Sequence, residues 1–295
     1  VITLLTGAGG QLGRALQSAA PAGARLKALS RSELDIADET AVRAALRALG
    51  PAVVINAAAY TRVDDAETHA DEAMRANGTG PAVLAAACRD SRAWLVHVST
   101  DYVFDGSQNQ PYTRTSPPNP LGVYGRTKLA GELAVANLLA GSSSVVRTSW
   151  VYSAGHRNFL TTMLQRMSAG TAVRVVSDQI GVPTATSTLA RVLWAFAERR
   201  ISGIYHWCDS GVASWYDFAV AIGEEALAAR LITSPASVAP IASSEYPTPA
   251  PRPRFSVLDK RDTEHALELT APHWRVSLRE TLQQLVAHRA KGASA

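Results

Sequence analysis

The chain has 295 residues, 47% of them hydrophobic, a net charge of +4 and two cysteines. That length allows a large core in one large or two modest domains, and the scattered arginines, with no long run of like charge, exclude a nucleic-acid or membrane patch as the basis of function. Cys88 and Cys208 stand far apart in apolar settings without zinc spacing, no apolar stretch approaches the ~20 residues of a membrane span, and the chain opens without a basic leader, so a soluble cytoplasmic protein is expected.

In chain order, residues 1–5 form a short β-branched and aliphatic run, followed at once by T-G-A-G-G-Q-L-G and a helix-like R-A-L-Q-S-A-A. The spacing Gly7-x-x-Gly10-x-x-Gly13 between a strand and a helix suits a tight turn whose backbone approaches a pyrophosphate. A second strand over 25–29 ends at Ser30-Arg31, where an arginine meets a 2′-phosphate more readily than an acid would; this leans toward NADPH, with NADH left open. Asp38 is expected to cap a helix through Leu49, with Gly50 just past its end.

Residues 52–58 read as a buried third strand running into A-Y-T-R-V-D-D-A-E. Helical period resumes to Arg75, and Asn77 in R-A-N-G-T-G-P marks a kink, either as a cap between two helices or with a role in the site. The fourth strand, 94–99, delivers Ser99 and Thr100, and alternation sends only one of the two hydroxyls toward a given point. The proline-bearing loop 106–119 could close over a ligand. A helix starting at Asn119-Pro120, with an apolar period through Leu129, Leu133, Val135 and Leu138, carries Tyr124 and Lys128 on one face at i,i+4. The fixed ammonium is expected to bring the phenol closer to proton transfer at neutral pH.

The fifth strand is 144–148. Beyond Trp150 the pattern loosens into helices at 158–167, 187–199 and 214–230, strands at 173–176 and 203–208, a proline-rich loop at 246–254, and a terminal helix 277–290 burying Leu278, Leu282, Leu285 and Val286. The tail K-G-A-S-A is expected to fray. Four strand–helix alternations imply an α/β fold, a doubly wound parallel-sheet Rossmann domain with a smaller mixed α/β substrate-binding domain. The expected division is 1–150 for the dinucleotide and 151–295 mainly for the substrate, with about 171–205 returning to the first.

The glycine turn, a hydroxyl at the end of strand four and Tyr-x-x-x-Lys resemble the extended short-chain dehydrogenase/reductases. More narrowly, T-G-A-G-G-Q-L-G, N-A-A-A-Y-T-R-V-D-D-A-E, V-S-T-D-Y-V-F-D-G, Y-G-R-T-K-L-A-G-E, R-T-S-W-V-Y and D-Q-I-G-V-P-T resemble the dTDP-4-dehydrorhamnose reductase family along the whole chain. The resemblance implies an NADPH-preferring reductase of a dTDP-4-ketosugar, with Thr100, Tyr124 and Lys128 as the catalytic triad. It implies cofactor contacts from Gly7, Gly10, Gln11, Leu12, Arg31, Asp35, Ile36, Ala57, Ala58 and Tyr60 together with Tyr124 and Lys128. Substrate contacts are implied for Thr100, Asp101, Val103, Trp150, Asn158, Gln179, Thr184 and Arg252. The family's acidic positions for a magnesium-linked dimer read here Arg14-Ala15 and Ala185-Thr186-Ser187, so no metal and a monomer or weak homodimer are expected. Alternatives carried by the same blocks are a reductase of a related dTDP-4-ketosugar, a sugar-nucleotide epimerase, and a non-catalytic subunit like the beta subunit of methionine adenosyltransferase.

Overall fold

A computed structural model describes residues 1–292; residues 293–295, part of the tail expected to fray, lie outside the described residues. The first half alternates β1 (Ile2–Thr6), α1 (Gln11–Ser18), β2 (Arg25–Leu29), α2 (Glu39–Leu49), β3 (Val53–Asn56), α3 (Ala70–Met74), α4 (Gly80–Ser91), β4 (Trp94–Thr100), α5 (Val123–Leu138) and β5 (Ser143–Thr148). There follow β6 (Val151–Tyr152), α6 (Phe159–Ser168), β7 (Val173–Val176), β8 (Ile180–Gly181), β9 (Thr184–Ala185), α7 (Thr186–Arg199) and β10 (Gly203–His206). The chain closes with β11 (Ala213–Ser214), α8 (Trp215–Ala228), β12 (Val238–Ile241), α9 (Arg261–Leu267) and α10 (Trp274–Gly292).

Among the described residues, six parallel strands form one sheet in the order β10-β5-β4-β3-β1-β2. Its inner strands β1, β3, β4 and β5 are buried on both faces and lack simple alternation, whereas the edge strand β2 alternates exposed Arg25 and Lys27 with Leu26 and Ala28. Leu4, Val54, Leu95 and Val145 pack toward α2 and α4, while Leu5, Ile55, Val96 and Val146 pack toward α1 and α7. The Trp194 indole donates to the Leu16 carbonyl at 2.9 Å and fastens α7 to α1. Strand order reverses between β1 and β3, and ligands in such sheets bind in the crevice beyond the carboxyl ends of strands at that point.

A second core joins α6, α8 and α10 through Leu160, Met163, Phe218, Ile222, Leu278 and Leu282. Within 171–205, α7 and β10 lie with the large sheet, whereas β7 pairs with β12 and does not return to it. Local chemistry sets the helix starts here: Asn158 and Thr161 form a capping box on α6, and Ser214 and Asp217 form one on α8. Asp38 caps α2 by accepting from Ala41 N, and Gly50 ends it in the left-handed conformation.

Several expectations need correction. The loop 106–119, expected to be free to close, is pinned at its middle: Tyr112 is buried, stacks on Phe104 at 4.1 Å, and exchanges backbone bonds with Val257 and Asp259. Helix α5 starts at Val123 rather than Asn119, because the Glu67 carboxylate, far away in sequence, accepts from Val123 N at 2.7 Å. Its apolar period misleads, since Leu133 is exposed while Lys128 and Glu132 are buried. At the other end of the chain, Val286 is exposed and Leu285 half-buried, so of the four residues expected to be buried in α10 only Leu278 and Leu282 are. Asn77 sits in a π-helical turn (Arg75–Thr79) and serves there as a fastener: it accepts from Tyr60 N at 2.8 Å and donates to Tyr60 O and Thr127 Oγ1.

Candidate active site

Two adjoining hollows of about 410 Å³ and 480 Å³ share Gly10, Ala57, Ala58, Ala59 and Thr61, forming one groove over the carboxyl ends of β1, β3 and β4. At its centre the backbones of β1 and β3 approach so closely that a Cβ on Gly7 (φ +76) would stand 2.5 Å from Ala58 N. A Cβ on Gly13 would stand 2.2 Å from Gly7 O, so the first helix packs directly on the turn. Gly10 caps α1 without a side-chain bond, leaving the first helical N–H groups free for an anion. This cradle fits the pyrophosphate of a dinucleotide.

The outer hollow is lined by Gly7, Gly10, Arg31, Asp35, Ile36, Ala57, Ala58 and Tyr60, all expected at a cofactor. It also contains Arg62 and Arg75, which sequence reading missed. Arg75 Nη1 donates to Asp35 Oδ2 at 2.7 Å across 40 residues of chain, a pairing with no local signal. Two guanidiniums, Arg31 and Arg75, thus stand in the same outer hollow.

The inner hollow brings together Gln11, Leu12, Thr100, Asp101, Tyr124, Lys128, Trp150 and Asn158. Parallel register accounts for the floor. Thr6, Asn56 and His97 stand side by side on β1, β3 and β4; Thr6 donates to Asn56 Oδ1 at 2.7 Å, and the Asn56 amide meets His97 Nδ1 at 3.0 Å. Burial and the Lys128 charge hold His97 well below its ordinary pKa, so the ladder is neutral. One residue beyond β4 the chain turns sharply, as Thr100 Oγ1 accepts from Tyr102 N at 3.1 Å. Because of that turn Ser99 and Thr100 both line the groove, but Thr100 is the hydroxyl that faces Tyr124.

Lys128 is 2% exposed and its Nζ donates to the Val98 carbonyl at 2.6 Å. Burial lowers its ammonium to about 8, with Glu132 pulling the other way, so it stays charged at neutral pH. Glu132, one turn further along α5, is itself buried against Arg147 of β5, with Nη2 to Oε2 at 2.6 Å. The expectation that the ammonium makes the phenol more acidic does not hold. Desolvation pushes Tyr124 up to about 12, opposed by the Thr100 hydrogen bond and reinforced by Asp101. The phenol therefore arrives fully protonated.

Opposite this floor, Trp150 adopts φ +44 and stacks on Trp215 with centroids 3.6 Å apart and planes 7° apart. The backbone of Gly181 lies under the Trp150 ring, where a Cβ would come within 2.6 Å. Gln11 bridges the two walls, donating to Val151 O at 3.1 Å and accepting from Ser153 Oγ at 3.2 Å. Asn158 lines the groove but spends its side chain on the α6 cap, accepting from Thr161 N and donating to Ser153 O.

Four expected substrate residues do not line this groove. Val103 and Thr184 are fully buried, Val103 in the cluster with Phe104 and Tyr112. Gln179 donates to Ser243 Oγ at 2.9 Å, and Arg252 pairs with Asp64 at 2.8 Å. Conversely, Tyr102, Phe159 and Trp215 line it unannounced. For Trp215 the available signal was a large aromatic directly after the helix-capping Ser214. Among the described residues, no group of three or more His, Cys, Asp or Glu is arranged to hold a metal ion, and no helix is long and apolar enough to cross a membrane.

Against known proteins, the family model described as RmlD substrate binding domain matches residues 2–287. A dTDP-4-dehydrorhamnose reductase of Streptomyces griseus is 43% identical over 96% of this chain and 93% of its own length. The spore coat polysaccharide biosynthesis protein SpsK of Bacillus subtilis is 42% identical over 95% of this chain and 96% of its own. Among solved structures, a dTDP-4-dehydrorhamnose reductase from Bacillus anthracis in complex with NADP superposes with a TM-score of 0.90 at 32% identity, covering 96% of this chain and 99% of that one.

Proposed function

We propose, from the premise that this chain belongs to the dTDP-4-dehydrorhamnose reductase family and is an NAD(P)H-dependent oxidoreductase, that it reduces the 4-keto group of a dTDP-6-deoxy-hexulose, turning dTDP-4-dehydrorhamnose into dTDP-L-rhamnose with a preference for NADPH. The observation that carries this reading is the meeting of Thr100, Tyr124 and Lys128 at the inner end of a groove whose outer end is a glycine turn.

The reduced nicotinamide, when bound, supplies the hydride for C4 of the sugar. Tyr124 delivers the proton to the alkoxide that develops at that carbon's oxygen. A phenol held at about 12 is a poor acid toward water but a suitable one toward an alkoxide. Thr100 donates a second hydrogen bond to the same oxygen, and Lys128, charged and pinned to the β4 backbone, holds the nicotinamide ribose and offsets the negative charge left on Tyr124. Arg31, joined by Arg75, favours the 2′-phosphate of NADPH. Trp150 and Trp215 offer an apolar face to the deoxysugar, and Arg252, released from Asp64, would reach the nucleotide diphosphate. On this reading 1–150 with α7 and β10 serves the dinucleotide, and most of 151–295 serves the sugar nucleotide, in a monomer or weak homodimer.

The test is to incubate the protein with purified dTDP-4-dehydrorhamnose and related dTDP-4-ketosugars, follow NADPH absorbance and identify the products by NMR. dTDP-L-rhamnose as the preferred product supports the proposal, and faster turnover of another ketosugar moves the assignment to that substrate. No NADPH consumption with any of them sinks it.

A further inference from the structure

Asp101 is the most enclosed carboxyl along the groove, 2% exposed at the turn that ends β4. Its Oδ1 accepts from Thr100 Oγ1 at 3.1 Å, while its buried Oδ2 has no hydrogen-bond partner among the described residues. The groups facing it are Thr100 and Tyr102 on its own segment, the Tyr124 phenol from α5, the Ser256 hydroxyl and the Cys208 thiol. None of these carries a positive charge, so no ion pair holds the carboxyl ionised, and only neutral donors such as the Ser256 and Thr100 hydroxyls favour the charged form.

Hydrogen accounting at Thr100 gives this arrangement a consequence. A threonine hydroxyl has one hydrogen to donate and two lone pairs to accept with. Thr100 already accepts from Tyr102 N at 3.1 Å. With Asp101 ionised, the single Thr100 hydrogen is drawn into a charge-assisted bond to the carboxylate, and none remains for an oxygen in the groove. With Asp101 protonated, the carboxyl O–H can donate to the second Thr100 lone pair, and the Thr100 hydrogen is free to turn toward Tyr124 and the substrate.

We propose that Asp101 is a positioning residue whose protonation state switches Thr100 between donating to the keto oxygen of the substrate and donating to Asp101 itself. The inference rests on the reading above, in which Thr100 bonds that oxygen. Both states are accessible near neutrality, because burial pushes the Asp101 carboxyl up to about 7 against the opposing pull of the nearby Ser256 and Thr100 hydroxyls. The reductase accordingly runs best with Asp101 protonated and slows as pH rises through neutrality. This limb lies below the one that loss of the Lys128 charge, at about 8, would add.

Asp101→Asn separates the two, since an amide donates to Thr100 at every pH. The variant is expected to lose no more than about tenfold in kcat at low pH and to lack the limb near neutrality while keeping the higher one. Asp101→Ala, which has no donor, should lose about a hundredfold. NADPH binding, read by fluorescence, should match wild type in both variants. Independently of any variant, carbon-13 NMR of wild type labelled at aspartate carboxyls should show one carboxyl titrating with the midpoint of the activity limb. An Asn variant that keeps the limb, or one as inactive as the Ala variant with NADPH binding intact, overturns the switch, as does the absence of any aspartate titrating near neutrality. Thr100→Val and Tyr124→Phe serve as references. If they reduce the ketosugar at the wild-type rate, the reading of the site itself fails; if they are inactive and Asp101→Asn keeps the limb, only the switch fails.

Discussion

The two walls of the groove are built by different physics. On the sheet side, Thr100, Tyr124 and Lys128 are held by strand register, by the Lys128 bond to Val98 and by the buried Glu132–Arg147 pair behind α5. On the opposite side, Trp150 and Trp215 are held by ring stacking, a left-handed backbone and the bare backbone of Gly181. Hydrogen-bonded register fixes positions to fractions of an ångström, as proton transfer requires, whereas stacked rings can slide with modest change in energy. Damage to the first wall should therefore appear in kcat, and damage to the second in KM.

The largest expected effect is that of Tyr124→Phe, which removes the proposed proton donor and should lower kcat by about 10²–10⁴-fold while leaving NADPH affinity, measured by fluorescence titration, unchanged. Glu132→Ala strands the Arg147 guanidinium in the core. A stability loss of about 3–5 kcal/mol in urea denaturation is expected, and a loss below 1 kcal/mol would show that the pair does not brace the catalytic helix. On the opposite wall, Gly181→Ala places a methyl within 2.6 Å of the Trp150 ring and must displace it. Steady-state kinetics should show the sugar KM rising about tenfold with a smaller change in kcat; the reverse split would break the contrast between the walls. At the outer end of the groove, Arg31→Ala and Arg75→Ala should each lower the NADPH-to-NADH preference by several-fold to about tenfold. Direct titration with adenosine 2′,5′-bisphosphate against 5′-AMP checks this without turnover. The smallest effect belongs to Trp215→Ala, which removes a stack worth about 0.5–1.5 kcal/mol and should raise the sugar KM a few-fold.

The same contrast explains what could be read from the amino-acid sequence. Gly7, Gly10 and Gly13 announce the cofactor turn because backbone approach leaves no room for a Cβ, and Tyr124 and Lys128 announce themselves because helical spacing alone puts them on one face. Asp38, Asn158 and Ser214 were legible as helix starts because a cap is local chemistry. Trp215 and Arg75 were not, since their partners Trp150 and Asp35 lie 65 and 40 residues away and only the tertiary fold brings them together. Leu133 and Glu132 show a further limit. Hydrophobic period assigns the inward face of a helix to its apolar residues, but the inward face of α5 carries the charged residues of the site and leaves a leucine in solvent.

The central claim is that the groove transfers hydride and proton to one carbonyl, at C4 of the sugar. The most direct measurement is to run the reaction with NADPH deuterated at the transferring position of the nicotinamide and locate the label in the product by NMR. Deuterium at C4 of the deoxysugar, absent when Tyr124→Phe replaces the wild type under the same conditions, is the expected result. Deuterium at another carbon, or NADPH oxidation with no label in the sugar, would contradict it.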